Sequence, residues 1–303
     1  MNKVKEELNV EYAHQLQYFG KNIGVAILDT GIFQHPDFDN RIIAFKDVLN
    51  EKQKPYDDNG HGTHIAGIIG GTGKLSNGVF TGMAPKCNLI VVKVLDNKGN
   101  GSTEDVLKGI DWVLKMKDAY NIRIMNISVG TIPNVEKEEC MILVKAVEKA
   151  WDAGLVVVVA AGNNGPNPMT ITTPGISRKV ITVGASDDHL VPKSNNIKIH
   201  YSGRGPTQFC IKKPDVIAPG NNIISCKVMK DLNATSLTEC YTNKSGTSMA
   251  TPIVSGSIAL LIEKYPNITN MEVKLKLKDK AVNEGLPHNQ QGWGKIDVKQ
   301  LIS

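Results

Sequence analysis

Short apolar runs rich in valine and isoleucine recur along the chain and alternate with longer stretches of helical periodicity. The runs cover 23–28, 89–94, 122–127, 155–160 and 180–183, and they lack the polar alternation of half-exposed strands. That is the pattern of strands covered on both faces. Between them, 61–70, 102–120 and 135–153 read as helices, with Ser102 or Thr103 placed to cap the second and Gly154 closing the third. Such alternation predicts an α/β fold in which a mostly parallel sheet carries helices on both faces. Sites in sheets of this kind lie beyond the carboxyl ends of the strands. Asp29 follows the first run, Ser128 the third and Asn163 the fourth.

A chain of 303 residues, 41% hydrophobic and 21% charged, can bury a large core in one big α/β domain or two smaller ones. No repeat, low-complexity tract or linker divides it, so 1–303 reads as a single domain, with 1–20 as an N-terminal extension. Residues 186–244 are poor in helical pattern and rich in Asn, Gly, Ser and Pro, which predicts hairpins and loops. The balance of 35 basic and 30 acidic residues is spread along the chain, which argues against nucleic-acid or membrane-surface binding. The N-terminus is charged with no apolar stretch after it, and the apolar runs are too short to span a bilayer. A cytoplasmic location is therefore expected, with a trimmed secreted protein as the alternative. Five cysteines without close paired spacing predict free thiols, and a disulfide among Cys210, Cys226 and Cys240 is the other reading. Of four Asn-x-Ser/Thr sequons, at Asn126, Asn233, Asn243 and Asn267, the first falls in an apolar run, which argues that they are coincidental.

Three segments supply chemistry in a fixed order: Asp29-Thr30-Gly31, His61-Gly62-Thr63-His64, and Gly246-Thr247-Ser248-Met249-Ala250-Thr251-Pro252. A serine hydroxyl is a poor nucleophile unless an imidazole takes its proton, and that imidazole needs a carboxylate on its far nitrogen. Asp29, His61 and Ser248 fit those roles. Ser248 precedes a run of small and aliphatic residues, so it is predicted to open a buried helix whose N-terminal N–H groups favour developing negative charge. Pro252 reads as a first-turn proline, where its missing N–H has no partner to lose. His61 and His64 lack the intervening glutamate of a His-Glu-x-x-His metallopeptidase, so zinc is not expected there and His64 reads as a packing residue.

At these residues the chain resembles a subtilase, a subtilisin-like serine peptidase, from about Tyr18 to about Val298. The resemblance implies the three-layer subtilisin-like fold and serine endopeptidase activity, with no cofactor for catalysis. It makes Asn163, in Ala161-Gly162-Asn163, an oxyanion-hole donor beside the Ser248 backbone N–H. It implies an extended polypeptide substrate lying between Gly99-Asn100-Gly101 and Ser128-Val129-Gly130. The primary pocket would be walled by Ser128–Gly130 and by Ala160, Ala161 and Gly162, with Thr172 near its floor. Thr173-Pro174-Gly175 matches a family turn with a cis proline. Asp37 resembles a ligand of a structural calcium site, Asn77 could add an oxygen, and Asp215 could serve another cation, although the 74–78 loop departs from the family pattern. Fewer than thirty residues precede Asp29, which resembles the intracellular branch of the family or a trimmed chain. A non-catalytic relative that binds peptides in the same groove, and an esterase with the same machinery, are the competing readings. Oligomeric state is not legible.

Overall fold

The computed structural model describes residues 1–130, 137–187, 199–231, 234 and 236–303. Two short helices, α1 (Asn2–Glu7) and α2 (Val10–Gln15), precede β1 (Gly24–Asp29). Then come β2 (Ile42–Asp47), α3 (His61–Gly70), β3 (Asn88–Lys93), α4 (Thr103–Met116), β4 (Ile122–Ile127), α5 (Lys137–Asp152), β5 (Val156–Ala160), β6 (Ile181–Ala185) and β7 (Val216–Ala218). The last third holds β8 (Ile223–Cys226), α6 (Leu237–Cys240), β9 (Tyr241–Lys244), α7 (Thr247–Lys264), α8 (Asn270–Lys280), α9 (His288–Gln291) and α10 (Val298–Ile302).

Strands β1 to β7 form one sheet in the order β2-β3-β1-β4-β5-β6-β7, and every neighbouring pair is parallel. Strands β1, β5 and β6 are buried along their whole length, which is why their sequences show no alternation. Helices α3 and α7 pack against each other and onto β1 and β4 to β6, while α4 and α5 pair over β1 and β5. The result is a three-layer α/β fold. Ser102 caps α4 in a reciprocal capping box with Asp105, and Gly154, at φ +89°, ends α5.

Strand β2 escapes sequence reading because it is an edge strand with mixed exposure, and the mostly aliphatic signature of the inner strands is missing. The region 186–244 contributes β7 to the sheet edge and the antiparallel β8–β9 pair. The 1–20 segment packs into the main core through Met1, Val4, Leu8, Val10 and Ala13, and Leu8 accepts a hydrogen bond from the Val298 N–H at 2.8 Å. All five cysteines are free thiols. Asn126 is fully buried in β4, Thr173–Pro174 is cis, and the Asn233 sequon lies outside the described residues.

Candidate active site

Asp29 ends β1, an inner strand of the sheet, fully buried, and Oδ1 lies 2.7 Å from His61 Nδ1. The Thr30 N–H donates to the same oxygen at 2.8 Å, whereas Oδ2 has no partner among the described residues. A carboxylate enclosed in this way is costly unless a positive charge comes to it. His61 supplies that charge when protonated. Burial pushes the imidazole pKa down, but the charge and hydrogen bond of Asp29 outweigh this and leave it above its ordinary value. His61 opens α3, and Gly62 behind it packs so tightly on the Gly31 carbonyl that a Cβ would overlap it.

What holds α3 against β1 is Asp57, which sequence reading overlooked. Its Oδ1 accepts from Gly60 N at 2.8 Å, Asn59 N at 3.1 Å and Thr30 Oγ1 at 2.9 Å. Its Oδ2 accepts from Thr63 N at 2.9 Å and Thr63 Oγ1 at 2.6 Å. Thr30 Oγ1 in turn accepts the Gly62 N–H at 2.9 Å. Burial raises the Asp57 carboxyl pKa, yet the hydrogen bonds from Thr63, Gly60 and Asn59 win and leave it below its ordinary value. An aspartate shortly before a helix is a capping signal, and that signal was available in Asp57-Asp58-Asn59-Gly60-His61. Lys93 is a second surprise, a fully buried lysine within an apolar strand. Its Nζ donates to Thr30 O at 2.6 Å, Leu95 O at 2.8 Å and Asp58 Oδ1 at 2.7 Å, joining the segments that follow β1 and β3.

Ser248 is the second residue of α7, where backbone N–H groups have no intrahelical acceptor. Its hydroxyl donates to the Ser128 carbonyl at 2.9 Å, just beyond β4. Pro252 lies inside the helix, not in its first turn, so the reading of its place is corrected. Its ring leaves the Ser248 carbonyl without the usual i+4 donor. Asn163, three residues beyond β5, accepts on Oδ1 from Thr247 N at 2.9 Å and Thr247 Oγ1 at 3.1 Å. His64 stands apart from this chemistry. It is fully buried under the β8–β9 pair, its Nε2 meets the carbonyls of Ile223 at 3.0 Å and Thr242 at 3.2 Å, and burial pushes its pKa down to about 3.

The groove residues divide. Thr172 is brought against both predicted walls: a Cβ on Gly130 or on Gly162 would overlap its side chain, and its N–H donates to Ala161 O at 3.0 Å. Its own Oγ1 is buried without a partner. Ala160 and Ala161 are buried behind it, and Ser128, Val129 and Gly130 continue from β4. On the other side, both backbone groups of Asn100 already meet Asp96: its N–H donates to Oδ1 at 2.8 Å and its C=O accepts the Asp96 N–H at 2.7 Å. The Gly99 carbonyl and both backbone groups of Gly101 make no hydrogen bond among the described residues.

The residues expected to hold calcium do not fit that ion. Asp215 already faces two ammonium groups, Lys213 Nζ at 2.5 Å and Lys274 Nζ at 3.5 Å, so the place of a cation is taken. Asp37 is buried beside the His35 ring and the Cys226 thiol, nitrogen and sulfur donors that suit calcium poorly. Asn77 is exposed at the end of a turn.

A parallel α/β sheet with an acid, an imidazole and a hydroxyl gathered at its carboxyl edge has the make-up of a serine hydrolase. A sequence model of the subtilase family matches residues 20–294, and the chain belongs to that family. It is 46% identical to the serine protease AprX of Bacillus subtilis over 93% of its own length and 66% of that protein's. It is 33% identical to subtilisin DY of Bacillus licheniformis, covering 88% of this chain and 86% of that one. A crystal structure of a cold-adapted subtilisin-like serine proteinase superposes with a TM-score of 0.70 at 28% identity, covering 92% of this chain and 88% of the other.

Proposed function

We propose that this chain is a serine endopeptidase in which Asp29, His61 and Ser248 cleave peptide bonds through an acyl-enzyme. The observation that carries the reading is the 2.7 Å contact of Asp29 with His61 Nδ1, which directs the proton-accepting Nε2 away from the acid. In the first step Ser248 Oγ turns from the Ser128 carbonyl, attacks the substrate carbonyl carbon and passes its proton to His61 Nε2. The oxyanion so formed takes hydrogen bonds from Asn163 Nδ2 and the Ser248 N–H. The amine leaves with the proton from His61, and water repeats the sequence in reverse to free the acid.

The substrate in this reading is an extended polypeptide clamped on one side by Ser128 to Gly130 and on the other by Gly99 and Gly101. The Thr172 side chain between Gly130 and Gly162 supports a primary pocket for side chains of modest size. Five free thiols suit a reducing compartment, and a cytoplasmic location belongs to the same proposal.

Labelling with a fluorophosphonate tests the reading. The wild-type protein is expected to take up one label and the Ser248→Ala variant none. A folded wild-type protein that takes up no label would remove the proposal.

A further inference from the structure

The chemistry above makes no use of the fully buried carboxylate of Asp37. Among the described residues no ammonium or guanidinium forms an ion pair with it; Arg41 donates instead to the Asp37 main-chain carbonyl, at 2.8 Å. His35 does not neutralise it either. Its Nδ1 accepts the Asp37 backbone N–H at 3.1 Å, and its Nε2 faces the Cys240 carbonyl at 3.0 Å. That pattern assigns the neutral ring with its proton on Nε2. The carboxylate is left with dipoles: the Leu75 N–H at 3.1 Å, the Tyr241 hydroxyl at 2.8 Å and a long contact from the Cys226 thiol at 3.8 Å. A buried charge compensated by dipoles alone is an unfavourable arrangement.

We propose that His35, Asp37 and Cys226 form a binding site for a thiophilic divalent cation of the zinc class. One donor atom from each lies within 4.8 Å of the other two, with Nδ1 to Oδ1 at 3.7 Å and Sγ to Oδ2 at 3.8 Å. Metal bonds of about 2.0 to 2.3 Å put tetrahedral ligands roughly 3.3 to 3.8 Å apart; the two short contacts are to different carboxylate oxygens, so the three donors must close in by about 1 Å around one metal. Charge balances as well: one carboxylate and one thiolate neutralise a divalent ion among buried side chains. On metal binding the Nδ1 lone pair of the neutral ring exchanges the Asp37 N–H for the metal, and the Cys226 thiol gives up a proton, which passes to solvent as the metal–sulfur bond forms. The Nε2–H contact with the Cys240 carbonyl is the outer hydrogen bond that orients a ligating histidine. An open surface cleft is lined by Gln34, His35, Pro36 and Asp39, while the His35 ring itself is fully buried. Cys226 lies directly under α3, where a Cβ on Gly67 would sit 2.8 Å from Sγ. A metal here therefore ties the β8–β9 pair to the turn at Pro36–Phe38, with Cys226 packed against the helix that carries His61.

Metal uptake by the full chain tests this, in a Ser248→Ala background that prevents self-digestion. After chelator treatment and exposure to zinc, the desalted protein should retain about one equivalent. The cobalt form should show thiolate-to-cobalt charge-transfer absorption. Cys226→Ser should abolish that band and weaken zinc binding by more than about tenfold, and His35→Gln should weaken binding comparably. Cys210→Ser, at an exposed thiol, should change neither. Zinc uptake that is the same in wild type, Cys226→Ser and His35→Gln, or a cobalt form without the band, would overturn the proposal. So would calcium raising the thermal midpoint as much as zinc does. Should Cys226→Ser fail to fold, the His35→Gln comparison decides alone.

Discussion

Asn163 Oδ1 accepts the Thr247 backbone N–H at 2.9 Å, and this bond fixes which end of the amide is free to donate. A carbonyl oxygen must face an N–H, so Nδ2 turns the other way, beside Gly246 at the head of α7. In the proposed mechanism the donor is thus set before any substrate arrives. Replacing Asn163 with Ala should lower kcat by about 10²- to 10³-fold with KM little changed, a range that comes from an oxyanion-hole asparagine of subtilisin itself. Steady-state kinetics on a peptide substrate checks it; an equal rise in KM at constant kcat would count against the role.

Because Asp29 holds the His61 pKa above its ordinary 6.5, the base is free to accept a proton only at higher pH than an isolated imidazole. The acid limb of kcat/KM should therefore have an apparent pKa above 6.5. Asp29→Asn should move that limb downward and reduce kcat by about 10⁴-fold. The same shift makes protonated His61 stabilising at acid pH. That contribution is complete below the unfolded-state pKa and is lost as pH rises through the folded one. Imidazole NMR titration in Ser248→Ala reads the pKa without turnover.

Asp57 ties α3 to β1 through five hydrogen bonds. Asp57→Ala strands the Thr63, Gly60 and Thr30 donors in a buried site, with an expected loss of about 3 kcal/mol. Its carboxyl pKa is depressed in the folded protein, so its stabilisation is present above the unfolded-state pKa and disappears as pH falls through the folded one. Denaturant melts at neutral and acid pH should show the wild-type advantage over Asp57→Ala shrinking in acid.

Thr172 fills the space between Gly130 and Gly162 and buries an oxygen with no partner. Thr172→Gly should deepen the pocket and raise kcat/KM for larger side chains before the scissile bond by about tenfold relative to small ones. A peptide-library profile compared with wild type reads that ratio; an unchanged profile would place the pocket elsewhere. Gly162→Ala should instead collide with Thr172 and lower both stability and turnover.

Much of this molecule is legible in linear order. The unbroken aliphatic runs of β1, β5 and β6 exist because helices cover both faces, and burial on two sides leaves its mark on every residue of a strand. Asp29, Ser128 and Asn163 could be placed at one edge because parallel strands all end on the same side. Contacts between distant segments leave no such local trace. Asp57 and Lys93 read as an ordinary acid and base in sequence, and become a clamp and a buried donor only where β1, β3 and α3 converge. Asp215 resembled a cation ligand until folding set Lys213 and Lys274 beside it. Asp37 gained a thiol neighbour when Cys226, 189 residues later, arrived at its carboxylate. Periodicity reports the burial a residue needs, whereas the partner that satisfies a buried charge is chosen by the packing of segments far apart in the chain.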